Sequence, residues 1–200
     1  MENLDSLVDF LIEIEKLKKT YRYSTSPDVA DSSADHSWKL AFMTSIFSKE
    51  LPEINSLHTI EMCLVHDLAE YVTGEIDSYR VHTGEIKKED KYDLELKAME
   101  EFKKRLSFGE KIYGLWKEYE EQQTLEAKYA KALDKIEALI HILFEGVEKD
   151  NHPEYTFIYV DSSVESAPKL KPFLKNIKER LKKEYKKAGI NLKQQDENFP

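Results

Sequence analysis

Cysteine is almost missing: Cys63 is the only one in 200 residues. No intramolecular disulfide can form, which fits a reducing compartment. Positive charge is in deficit, with 30 Lys and Arg against 39 Asp and Glu and a net charge of −9. The chain therefore lacks the basic footprint that binding duplex nucleic acid favours. A small phosphorylated substrate is still open to it, because one or two local cations can hold a phosphate. No apolar run approaches the roughly 18 residues of a membrane span. The opening stretch MENLDSLVDFLIEIEKL is acidic and amphipathic, unlike a signal or transit peptide. No membrane partner is expected, and the cytoplasm is the expected location. No GxxxxGK phosphate loop occurs, which argues against NTP-driven phosphotransfer. Internal repeats, low-complexity tracts and linkers are also missing, so residues 1–200 are expected to form one domain.

Glycine and proline are scarce, six each, while 40 per cent of residues are hydrophobic and 34 per cent charged. That is an ordinary globular balance, and its apolar residues recur at helical spacing. Leu4, Leu7, Val8, Leu11, Ile14 and Leu17 form one stripe over 4–19. Asp35 reads as the N-cap of a helix over about 35–50 that Pro52 breaks. A second helix is expected from about 56 to 72, ending near Gly74 and apolar nearly all round. Residues 75–88 read as a long loop, a length often found in functional lids. Helices follow over about 88–106, 109–122 and 125–146, the last with Thr124 as N-cap. Residues 152–170 leave open a short strand or an ordered loop. A final Lys-rich helix over about 170–187 is expected on the surface, and 190–200 as a frayed tail. The sum is an all-α fold.

The stretch CLVHDLAEYVTG, residues 63–74, puts His66, Asp67 and Glu70 into an apolar helix. Burying unpaired charge is costly, so such groups are paired, protonated or bound to a metal. His66 and Glu70 are four apart and share a helical face, with Asp67 about 100° further round. Asp134 similarly interrupts the apolar stripe of its helix, between the small neighbours Ala130 and Ala138. His36 opens the first core helix. Singly, each has another reading: His36 as a cap, His66–Asp67 as an interhelical pair, Asp134 as the partner of Lys131 or Lys135. Together they make a mixed nitrogen and oxygen ligand set, suited to one divalent transition metal among Mn, Fe, Co, Ni and Zn.

The order His…His-Asp…Asp, in ADHSW, LVHDLAE and KALDKIEAL, resembles the signature of the HD-domain metal-dependent phosphohydrolases. The stretches RYSTSPDVADSSADHSWKLAFM, HDLAEYVTGEI and EAKYAKALDKIEALI look like the 5′-deoxynucleotidase branch, and the likeness spans about 10–146. The resemblance implies an HD-domain helical bundle with a metal on His36, His66, Asp67 and Asp134. It implies Arg22 at the substrate phosphate and Glu70 in catalysis beside the attacking water. Glu75 stands after the TG turn, where the branch usually has aspartate. Asp77 is a further loop acid assigned to the substrate. Tyr23 stands where the branch often has tryptophan at the sugar. The loop IDSYRVHTGEIKKED departs too, having a histidine and no proline. The implied activity is release of phosphate from deoxyribonucleoside 5′-monophosphates, usually by a homodimer. The alternatives are a dNTP triphosphohydrolase, a cyclic-nucleotide phosphodiesterase, a (p)ppGpp hydrolase, or a nucleotide-binding domain without turnover. His58, His82, His141 and His152 are expected to be bystanders, Trp38 and Trp116 core residues, and Cys63 an inert buried thiol.

Overall fold

The computed structural model describes residues 4–23 and 31–192. Residues 24–30 of the RYSTSPDVADSSADHSW stretch and 193–200 of the expected frayed tail lie outside the described residues. Every regular element among the described residues is helical, and the single β-bridge joins Tyr21 and Ser32. No helix there is long and apolar enough to cross a membrane.

Helix α1 (Leu4–Ile14) runs into a 3-10 turn over Glu15–Lys19. Helix α2 spans Ser33–Phe47, α3 Ser56–Val65, α4 Glu70–Thr73 and α5 Ser78–His82. The long helices α6 (Lys88–Arg105), α7 (Gly109–Glu121) and α8 (Leu125–Glu145) follow. The last helices among the described residues are α9 (Pro153–Ile158), α10 (Asp161–Glu165) and α11 (Lys171–Lys187).

Helix α8 is the axis of the fold, in contact with α2, α3, α7, α10 and α11. Leu133, Ile136 and Leu139 on it are fully buried, as are Ala127, Ala130 and Ala132, whose small side chains allow close approach. Thr124 caps it, its side chain accepting from the Ala127 N–H at 3.2 Å. A second cluster packs Phe10, Leu68, Tyr71, Met99, Phe102 and Trp116 between α1, α4, α6 and α7.

Several expectations need correction. The N-cap of α2 is Ser32, not Asp35. Asp35 is the third helical residue and closes a capping box, its Oδ2 accepting from the Ser32 N–H at 3.3 Å. The expected 56–72 helix breaks at 66–69, where Leu68 N–H donates to Val65 O and Glu70 N–H to Asp67 O, each at 3.0 Å. These i→i+3 bonds tighten the chain into 3-10-like turns. Its outer face is wet: Leu57, Leu64 and Val72 are exposed. The 75–88 loop holds α5. Residues 152–170 form short helical pieces and no strand. Helix α11 buries Leu174, Ile177, Leu181 and Tyr185 against the core, with Lys178 buried beside them, so the helix is not confined to the surface. Trp38 is 65% exposed and stacks on Phe42 at 5.9 Å, whereas Trp116 is a core residue.

Because α2 carries His36 one turn in from its cap, the capping box bears on both stability and site. Ser32→Ala is expected to cost about 1 kcal/mol, read as a lower urea midpoint at unchanged m-value. A variant as stable as the parent would contradict this.

Candidate functional site

An antiparallel bridge between Tyr21 and Ser32 pins the residues ahead of α2. Arg22 N–H donates to Asp31 O at 2.8 Å, and Ser33 N–H donates to Thr20 O at 2.9 Å. This sets Arg22 beside the start of α2, where His36 is fully buried. Tyr23 has a positive φ of 60°, an unusual conformation for a bulky residue. Its ring stacks on His141 at 5.4 Å.

His66 ends α3. Its Nδ1 lies 2.8 Å from Cys63 O, and a carbonyl can only accept, so Nδ1 carries a proton and Nε2 is the nitrogen turned to the site. His66 Nε2 is 3.1 Å from Asp67 Oδ2. His36 Nε2 is 3.9 Å from the same oxygen and 3.2 Å from Asp134 Oδ1. The donor atoms of His36, His66 and Asp67 lie within 4.8 Å of one another, close enough to share a metal ion. Buried His36 Nε2 has no hydrogen-bond partner, and the groups it faces are all metal-ligand types. The residues therefore fit a metal.

Behind His36, its Nδ1 lies 2.6 Å from Glu137 Oε2. Glu137 is itself fully buried, with Lys39 Nζ 2.7 Å from Oε1 and Arg22 Nη1 3.6 Å from Oε2. A carboxylate on the far ring nitrogen fixes the orientation of a ligating histidine. Sequence reasoning missed Glu137. The available signal was an acid three residues after Asp134, on the same face of an apolar helix.

The charges are strongly perturbed. Burial pushes Asp134 up, but Lys135, His36 and Lys131 hold it well below the usual carboxylate range. Burial opposes Asp67 too, and His66, His36 and Arg22 hold it low. Glu137 is likewise opposed by burial and drawn down to about 2 by His36, Arg22 and Lys39. Glu70 goes the other way: burial, then the Asp67 and Glu75 carboxylates, raise it well above its ordinary value. Ser33 Oγ donates to Glu70 Oε2 at 2.5 Å. Burial and Arg22 press His36 down, yet the Asp134 and Glu137 carboxylates win and raise it to about 9. Burial lifts the Cys63 thiol to about 12, consistent with an inert residue.

Arg22, His66, Asp67, Glu70, Glu75 and Asp134 line one cavity of about 660 Å³. His36 stands behind this wall. Tyr23 and Asp77 line a smaller cavity of about 60 Å³ that shares Arg22, Glu75, Ser78, Tyr155 and Tyr159 with the first. Asp77 also caps α5, accepting from Tyr79 N–H at 2.9 Å. Of the four expected bystanders, His58 lies away from the two cavities, whereas His82 lines the larger one, His152 the smaller, and His141 packs on Tyr23. His58 meets Glu118 at 2.8 Å. His152 stacks on Tyr79, and the His82 ring lies tilted against Tyr155. His141 meets Tyr23 and, at 3.9 Å, Asp31.

Comparison with known proteins gives matching relatives. The HD domain model matches residues 14–188. The 5′-deoxynucleotidase HDDC2 of Xenopus laevis is 34% identical over 153 residues, covering 72% of each chain. The protein of the same name from Homo sapiens is 30% identical over 173 residues, covering 74% of this chain and 80% of its own. In fold, the chain is similar to a crystal structure from Magnetospirillum magnetotacticum described as a predicted metal-dependent phosphohydrolase. The TM-score is 0.69 at 23% identity, over 94% of this chain and 95% of that one. A conserved hypothetical protein from Pyrococcus furiosus gives a TM-score of 0.70 at 22% identity, over 86% and 99%.

His36 makes a signed pH prediction for the metal-free protein. Its folded pKa, about 9, lies above the ordinary histidine value of 6.5, so its stabilisation is complete below about pH 6.5 and is lost as pH rises towards 9. The urea midpoint of EDTA-treated protein is expected to fall over that window, and His36→Asn to flatten the slope. A midpoint that rises with pH in the parent would contradict the assignment. Metal affinity should run oppositely and strengthen with pH, because the proton on Nε2 must leave first.

Proposed function

The chain belongs to the HD-domain family, among relatives named 5′-deoxynucleotidases, and we propose that it is a metal-dependent phosphomonoesterase releasing phosphate from deoxyribonucleoside 5′-monophosphates. The observation that carries this reading is the cluster of buried His36 Nε2 with His66 and Asp67, and its 3.2 Å approach to Asp134 Oδ1, beside a cavity that Arg22 and Glu70 also line. His36, His66, Asp67 and Asp134 would hold one divalent transition metal, of the group Mn, Co, Zn, Fe and Ni. The chemistry such an ion supplies when bound is Lewis acidity towards a phosphate oxygen and a more acidic water.

The protein's own groups do the rest. Arg22 receives the phosphate with a planar, donor-rich head. Arg22 lines the cavity, which supports its guanidinium as the group that meets a substrate oxygen. Glu70 handles the proton. Its Oε2 is fixed by Ser33, and its raised pKa suits a carboxyl that takes a proton from attacking water and returns one to the leaving 5′-oxygen. Glu75 and Tyr23 face the sugar, with Asp77 setting the loop between them. Glutamate is one methylene longer than the aspartate expected at position 75, which crowds the 2′ side. Tyrosine at 23 is smaller than tryptophan and loosens the opposite wall.

Relatives named 5′-deoxynucleotidases support the monophosphate reading over a triphosphohydrolase. The single cysteine supports a reducing compartment such as the cytoplasm, and the resemblance supports a homodimer and one HD domain over 1–200.

His66→Ala and Asp67→Ala are each expected to abolish the roughly one equivalent of bound transition metal, read by elemental analysis. Unchanged content in both would remove the metal assignment. Glu70→Ala is expected to keep its metal and lose about 10²-fold or more in turnover, and normal turnover would make Glu70 structural. Phosphate release should be faster from dAMP than from AMP. Equal rates would refute deoxy-selectivity, and faster attack on dGTP or a 3′-monophosphate would refute the substrate assignment.

A further inference from the structure

Asp134 is surrounded by more positive charge than one carboxylate offsets. Its Oδ1 faces His36 Nε2 at 3.2 Å and Arg22 Nη2 at 4.0 Å. Its Oδ2 accepts from Tyr119 OH at 2.6 Å and lies 3.5 Å from Lys135 Nζ and 4.0 Å from Lys131 Nζ. A metal on Oδ1 would draw on the same negative charge. Lys131 has a second acid, Glu120, at 4.0 Å, and lies 4.3 Å over the Tyr119 ring. Lys135 has Asp134 as its only acid within 4.0 Å among the described residues. Its other partner is Tyr159, to whose hydroxyl it donates and over whose ring it lies at 4.3 Å. Burial, then the Asp134 charge, push the Tyr159 phenol up, so it is a neutral hydroxyl rather than a counter-ion.

A sheltered ammonium with an incomplete set of partners is costly unless an anion completes it. Lys135, Lys131 and Arg22 all line the 660 Å³ cavity, Arg22 on the Oδ1 side of Asp134 and the lysines on the Oδ2 side. We propose that Lys135, held by Tyr159 and flanked by Lys131, is a second phosphate-binding arm of this site, so that the phosphate is received between the guanidinium of Arg22 and an ammonium pair. The assignment rests on the phosphomonoesterase reading. A tetrahedral dianion presents oxygens in several directions, which one planar guanidinium cannot meet alone, whereas an ammonium is a compact charge with three donors. Tyr159 acts through Lys135 and is a positioning residue. It lies beyond residues 10–146, which carry the motif resemblance.

The test uses full-length, metal-loaded protein and inorganic phosphate as the probe. Calorimetry measures phosphate affinity, elemental analysis measures bound metal, and dAMP turnover gives KM and kcat separately. Lys135→Met is expected to weaken phosphate binding about tenfold or more, the usual scale for losing a charge-assisted hydrogen bond, and to raise KM similarly with metal content unchanged. Lys135→Arg should recover most of the affinity, and Tyr159→Phe should lose several-fold through KM rather than kcat. Phosphate affinity within twofold of the parent in Lys135→Met overturns the proposal. So does loss of metal from Lys135→Met that Lys135→Arg does not restore, since Lys135 would then only brace a metal ligand. A parent that binds phosphate yet hydrolyses no nucleotide defeats the hydrolase reading, and the calorimetric comparison still decides Lys135.

Discussion

Glu137 Oε2 lies 2.6 Å from His36 Nδ1, with both side chains fully buried. Neither could be tolerated there alone, because an unpaired buried charge is strongly destabilising. Together they tie α8 to the first turn of α2, and the remaining geometry follows from that tie. With Nδ1 committed to Glu137, His36 presents only Nε2 to the cavity side, towards Asp134 Oδ1 and into a cluster with His66 and Asp67. The same carboxylate lies 3.6 Å from Arg22 and 2.7 Å from Lys39. One buried acid thus sets both a candidate metal ligand and the candidate phosphate cation. Under the proposed reading, metal loading and substrate binding would be linked through a single side chain.

Such a concentration of charge needs a frame that brings helices close without filling the space between them. Helix α8 provides it with alanines at 127, 130, 132 and 138, all buried. The break after Val65 is the second requirement. A regular helix would continue the α3 ladder through His66 and Asp67. The tightened turn instead hands over to α4, and His66, Asp67 and Glu70 all line the same cavity. Gly74, at φ 71°, then ends α4 in a conformation that side chains rarely adopt, and the chain passes to Glu75 at the cavity wall.

The helical class was legible because apolar spacing and caps are local signals. Thr124 and the stripe of α8 bound that helix to within a residue of where it lies. The ligand candidates His36, His66, Asp67 and Asp134 stood out as charges in apolar runs. What stayed hidden depends on tertiary contacts. The 66–69 break has no glycine or proline to announce it, since i→i+3 bonds there are set by packing. Glu137 sits near Lys131 and Lys135 in sequence, and nothing local separates a buried acid from a solvated one on such a helix. Trp38 follows the helical period and is nonetheless exposed, because periodicity does not say which stripe meets the core. Tyr159 lies in a segment whose short helices have weak individual signatures, and its role depends on a lysine 24 positions earlier.

The central claim is that the Nε2 side of His36, not its Nδ1 side, receives the metal. Asp31, His36 and Glu137 also bring donor atoms within 4.8 Å of one another, so the two sides are real competitors. X-ray diffraction at a metal absorption edge, on crystals of metal-loaded protein, separates them. One anomalous peak is predicted, at about 2.0–2.3 Å from donor atoms of His36, His66, Asp67 and Asp134, with Glu137 still on Nδ1. A peak among Asp31, His36 Nδ1 and Glu137, or none near His66 and Asp134, would contradict the account.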